Sequence, residues 1–162
     1  MKTDHQTTHA PGCWSWGHGH YECAVGRVER LEKALRELEA DAAARAVGNS
    51  ALVKTSWHGG DPNWGRIVAA AGRAGAPMDP AAVALWLGDH QLMAAGQPLP
   101  FDRPAASAYL RERAAGSYLG GSGAGGDTVL IRLQVGSGPG TGVAWGCDLS
   151  DQYVRINADY TT

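Results

Sequence analysis

Two apolar spacings alternate along the chain from residue 27 onward. Over 27–47, Val28, Leu31, Leu35, Leu38 and Ala42 recur at three- and four-residue steps, which predicts an amphipathic helix with one narrow apolar face. Glu29 with Lys33, Glu32 with Arg36, and Asp41 with Arg45 form i,i+4 pairs of favourable polarity, each contributing roughly 0.2–0.5 kcal/mol. They mark the solvated side of the helix. Too few heptads are present for a coiled-coil seam, so the stripe reads as a docking face. Gly48-Asn49-Ser50 ends the element. Leu52 and Val53 then start an apolar run that reads as a strand, broken by Gly59-Gly60. Asp61-Pro62 supplies an N-cap oxygen and a first helical position that tolerates a missing N–H. A helix is therefore expected from Pro62, with Gly75 as its stop. Ile67, Val68 and the alanines 69–71 give it little bulk, so it can approach a sheet or another helix closely.

Beyond the turn at 76–80 the period changes to two. Val83, Leu85 and Leu87 alternate with Ala84 and Trp86, Gly88-Asp89-His90 turns the chain, and Leu92 and Met93 predict the second strand of a hairpin. Asp102 is placed to cap a helix over 103–115, on which Ala106, Tyr109, Leu110 and Arg113 keep helical spacing. Residues 116–126 hold six glycines and two serines. No Gly-Lys-Ser/Thr follows them and they lead into a strand, so they read as a flexible loop and not as a phosphate cradle. Val129, Ile131, Leu133 and Val135 predict that strand. A short strand is expected at Val143, and Ser150 is placed to cap a last helix carrying Tyr153, Val154, Asn157 and Ala158. The apolar stripe of this helix suggests that the tail is docked. Together these elements specify an α+β chain in which a mixed sheet packs against a few helices.

Composition narrows the function. The chain has 162 residues, enough for one domain that buries its apolar surface without staples, and a net charge of −2. No basic field points to nucleic acid or to an anionic membrane. No apolar run approaches the about 18 residues of a membrane helix, and the N-terminus lacks the layout of a signal peptide. Three cysteines, Cys13, Cys23 and Cys147, are odd in number and far apart, which argues against a disulfide framework and for a cytoplasmic location.

Candidate chemistry is sparse. Cys13, His18, His20 and Cys23 offer zinc-type ligands, but their spacing matches no common zinc motif. No metal site is assigned to them. His58 precedes two glycines and is either a general base or a turn residue. Cys147 follows an apolar segment with no basic neighbour and reads as a buried small hydrophobe. Asp61, Asn63 and Arg66 converge at one helix N-terminus, where they could hold a carboxylate or serve only the fold; their spacing favours the fold.

Five ordered stretches carry a resemblance: Asn-Ser-Ala-Leu-Val-Lys-Thr (49–55), Gly-Asp-Pro-Asn-Trp-Gly-Arg (60–66), Ala-Ala-Ala-Gly-Arg-Ala-Gly (69–75), Ala-Trp-Gly-Cys-Asp-Leu (144–149) and Ile-Asn-Ala-Asp-Tyr-Thr-Thr (156–162). From about Ala40 to Thr162 the chain resembles the C-terminal part of the bifunctional ornithine acetyltransferase/N-acetylglutamate synthase family of arginine biosynthesis. Residues 1–39 stand apart as a divergent segment. The resemblance implies the fold of that family and a ping-pong acetyl transfer from N-acetylornithine to glutamate through a threonine freed by self-cleavage. It implies no cofactor. The threonine and the oxyanion donors lie upstream of the matching part, and Thr3, Thr7 and Thr8 stand in no comparable context, so no catalytic residue is named. The chain alone is therefore expected to be inactive and to need a threonine-bearing portion as heteromeric partner. The substrate-contacting glutamate of the family would fall near Gly17-His18-Gly19, where no glutamate stands. Asn157 and Thr162 match the C-terminal substrate-contacting pair of the family and are the expected substrate-binding residues.

Overall fold

The computed structural model describes residues 18–118 and 128–159, with side chains from 26 to 114 and from 128 to 159. Cys13, Thr162, most of the glycine-rich loop, and the side chains of His18, His20 and Cys23 lie outside these described residues. In chain order the elements are α1 (His18–Asn49), α2 (Ala51–His58), α3 (Trp64–Gly72), β1 (Ala84–Leu87), β2 (His90–Ala94), β3 (Gln97–Pro98), α4 (Arg103–Tyr118), β4 (Ile131–Gln134) and α5 (Asp151–Ala158). The strands form one sheet in the order β3-β2-β1-β4, and all three ladders are antiparallel.

The expected hairpin is present, with Trp86 opposite Gln91 and Leu87 opposite His90, while β4 pairs on the other side of β1 with Leu85 opposite Leu133. Gly88 turns it at a φ of 56°. A Cβ there would stand 2.8 Å from the Tyr109 ring, so the turn needs a glycine both for its backbone and for its neighbour. Tyr109 in turn accepts a hydrogen bond from Leu130 N at 3.0 Å, tying α4 to the start of β4. Leu85, Leu87 and Leu92 are fully buried and meet Ile67, Ala70 and Ala71 of α3, Val53 of α2, Val47 of α1, and Ala106 and Leu110 of α4 in one core.

The α+β class and most elements match the expectation, and the differences have physical causes. The run at Leu52-Val53 is helical, not a strand. Val53 and Ser56 are buried three residues apart, and Thr55 and Ser56 both donate their hydroxyls to carbonyls one turn back, Leu52 O and Val53 O. An apolar run this short does not display its period, so burial decides. The next helix starts two residues later than expected because Asn63, not Asp61, is its cap: Asn63 Oδ1 accepts from Arg66 N at 3.1 Å. Asp102 and Ser150 cap as expected, accepting from Ala105 N and Tyr153 N. At Val143 there is no strand; 140–150 runs without regular structure.

The two stripes predicted to dock are open among the described residues. On α1, which begins nine residues before the expected start, Val28, Leu31, Leu35 and Leu38 are each more than half exposed, and of its described side chains only Ala43 and Val47 are buried. Glu32 with Arg36 and Asp41 with Arg45 pair as expected, at 3.3 and 3.7 Å, but Lys33 turns to Glu37. On α5 no residue is buried, and Tyr153, Val154 and Ile156 face outward. Between β4 and α5 the segment 136–149 forms a strap across α1. Gly140 and Gly142 lie directly on the backbone of Arg36 and of 40–41, where a side chain has no room, and Val143 N donates to Asp41 Oδ1 at 3.2 Å. Trp145, at 82% exposure, stands at the far end of the strap beside Gly48.

Candidate functional site

The C-terminal end of α2, the N-terminal end of α3 and the start of α5 converge, and most of the singled-out residues meet there. Gly59 and Gly60 let the chain reverse between the helices, Gly60 with a φ of 64°. Asp61 follows and acts as a hub: its Oδ1 accepts from Arg103 Nη1 at 3.2 Å and its Oδ2 from Asn63 Nδ2 at 2.9 Å. Arg66 turns back to α2 and donates to Leu52 O at 2.9 Å and to Thr55 Oγ1. The trio of Asp61, Asn63 and Arg66 thus fastens α2, α3 and α4 together through hydrogen bonds within the protein. Arg66 lies at the wall of a cleft of about 550 Å³ that Ser50, Leu52, Gly65, Ala69 and Arg73 also line, between α2 and α3.

His58 sits at the end of α2 with its ring between two carboxylates. Nδ1 is 2.9 Å from Asp148 Oδ2, and Nε2 is 4.0 Å from Asp151 Oδ1. Its partners are acids and not a hydroxyl or thiol, so this is no nucleophile–base pair. Cys147, expected to be buried, is exposed on the strap.

Asn157 lies on the exposed surface of α5, where its Nδ2 donates to Tyr153 O at 2.8 Å. Its Oδ1 has no hydrogen bond among the described residues, so the carbonyl end is open to a ligand donor. Asp148, Asp151 and Arg103 are the members of this region that spacing could not supply. His58 and Asp148 are 90 residues apart, and Asp61 and Arg103 are 42 apart. Among the described residues no cluster of His, Cys, Asp and Glu could hold a metal ion, and no helix is long and apolar enough to cross a membrane.

Comparison with known proteins adds what the geometry lacks. The ArgJ family matches residues 22–162, nearly the whole described length. This chain belongs to the ArgJ family. The arginine biosynthesis bifunctional protein ArgJ of Prochlorococcus marinus (strain MIT 9313) is 67% identical over 133 residues, covering 82% of this chain and 30% of that protein. The ArgJ protein of Gloeobacter violaceus is 54% identical over 141 residues, 85% of this chain and 32% of its own length. A crystal structure of the ArgJ protein of Bacillus halodurans superposes with a TM-score of 0.66 at 37% identity, over 76% of this chain and 52% of that one. The α+β fold is thus an ArgJ fold. The chain spans about 30% of the length of the curated relatives it matches.

Proposed function

We propose that this chain is the C-terminal, substrate-binding part of an ornithine acetyltransferase acting in arginine biosynthesis in the cytoplasm. The observation that carries this is the 67% identity to a bifunctional ArgJ protein, within a family match that reaches residue 162 and so includes Asn157 and Thr162. In the proposed reaction a threonine hydroxyl attacks the acetyl carbonyl of N-acetylornithine, and the ornithine amine leaves with the proton. The amine of glutamate then attacks the acetyl ester and frees the threonine. A base and an oxyanion hole must serve both tetrahedral intermediates. In this reading those groups belong to a threonine-bearing partner portion, while Asn157 and Thr162 hydrogen-bond the amino-acid substrate. No cofactor is needed. Two features support a partner: the apolar stripe of α1, open among the described residues, and α5, which buries none of its residues.

Acetyl transfer from N-acetylornithine to glutamate, measured with the purified chain alone and with the threonine-bearing portion of the P. marinus protein added, tests this. The expected result is turnover only in the mixture. Robust turnover by the chain alone would overturn the dependence on a partner. A complex that forms but never turns over would favour the second reading, a non-catalytic binding module, to which the open stripe of α1 also points.

A further inference from the structure

Although α5 buries none of its residues, it holds a defined position, and its polar ties to the body converge on α2. Among the described residues three ties run from 148–158 to the rest of the chain. Asp148 Oδ2 meets His58 Nδ1 at 2.9 Å, Asp151 Oδ1 lies 4.0 Å from His58 Nε2, and Leu149 N donates to Lys54 O at 3.4 Å. Lys54 and His58 are one helical turn apart, so all three fall on one line along α2. They are unequal. The Leu149 bond is long for N–H···O, and 4.0 Å is beyond hydrogen-bond reach, so the 2.9 Å contact is the directional one. A carboxylate only accepts, which places a proton on Nδ1 and turns Nε2 toward Asp151. Arg155, with Nε 4.0 Å from Asp151 Oδ2, is the cation that competes for that second acid. His58 therefore supplies the one short, oriented link at the head of a helix that hydrophobic packing does not fix.

We infer that His58 is a positioning residue, which acts through Asp148 and Asp151 to hold α5, and with it Asn157, in place for the substrate. The role of Asn157 in this inference rests on the function proposed above; the clamp itself does not. A hydrogen bond to a charged group is among the stronger polar contacts, so its loss should be read directly in the motion of α5. Asn157 sits in the last turn of that helix and feels any loosening at its head.

Amide hydrogen exchange on the full chain tests the clamp. His58→Ala is expected to lower protection of amides 154–158, Asn157 included, by about tenfold, with β1 amides as the control for intact folding. His58→Asn, whose amide reaches Asp148 much as Nδ1 does, is expected to restore most of the protection. Should His58→Ala not fold, Asp148→Ala removes the same bond from the other side. Unchanged protection of 154–158 in the folded variants, or failure of His58→Asn to restore it, overturns the clamp. With the reconstituted enzyme, His58→Ala is expected to raise KM for N-acetylornithine more than it lowers kcat, and to add nothing in an Asn157→Ala background. Additive effects would overturn the link to Asn157. A reconstituted enzyme without any turnover refutes the proposed function and leaves the clamp to be decided by exchange alone.

Discussion

The helices α1 and α3 carry equally legible apolar faces and end in opposite situations. In α3, Ile67, Ala70 and Ala71 are buried to within a few per cent against the sheet core, and Asn63 closes the first turn. Along the middle of α1, from 28 to 38, four aliphatic side chains at helical spacing stay more than half exposed. The difference lies in what faces them. The small residues of α3 let its backbone pack closely on α1 and α2 while its side chains join the buried leucines of β1 and β2 in one core, whereas the stripe-bearing stretch of α1 is crossed, among the described residues, by the glycines of the strap at Arg36 and 40–41. An amphipathic pattern states which face seeks cover; it does not state that the cover lies in the same chain.

That comparison can be broken by substitution. Leu85→Ala, in the fully buried middle of the sheet, should destabilise the chain by about 2–5 kcal/mol in urea unfolding, while Leu35→Ala on the open stripe should change it by less than about 0.5 kcal/mol. Equal losses would mean that α1 is covered in solution. Gly96 comes next. Its φ is 72° and a Cβ would collide with the Pro80 carbonyl, so Gly96→Ala should cost roughly 1–3 kcal/mol or more by the same measurement. Asn63→Ala removes the cap of α3 and should cost about 1 kcal/mol, and an effect as small as at Leu35 would show that α3 needs no cap. A comparably small effect per site, within about 0.5 kcal/mol, is expected from the double substitution of Leu31 and Leu38 to serine in the chain alone. The same pair should abolish co-purification with a threonine-bearing portion if that portion covers the stripe.

The sequence displayed its local rules well and its long-range ones poorly. The hairpin around Gly88, the caps at Asp102 and Ser150, and the ion pairs of Glu32 with Arg36 and Asp41 with Arg45 all join groups close together in the chain, where spacing and geometry are nearly the same thing. Leu52-Val53 was misleading because a run too short to show a period fits strand and helix alike, and a buried serine at position 56 decided it. At α3 two cap formers, on either side of Pro62, competed; Asp61 is held by Arg103, which leaves Asn63 to cap. The His58 cluster had no local signal, since its partners come from 90 and 93 residues downstream. Asn157 entered only through resemblance, because an exposed amide on a terminal helix looks like any solvated side chain until a family assigns it a ligand.

Trp145 gives the strap an optical signature. An indole in water emits at longer wavelength and is reached by iodide, whereas Trp57 and Trp64 are packed against the core. The Trp145→Phe difference spectrum therefore isolates one chromophore at the junction of α1, the strap and the approach to α5. A partner settling over that junction, as the proposed function would have it, would shift its emission to the blue and shield it from the quencher, so the strap would report that partner's arrival.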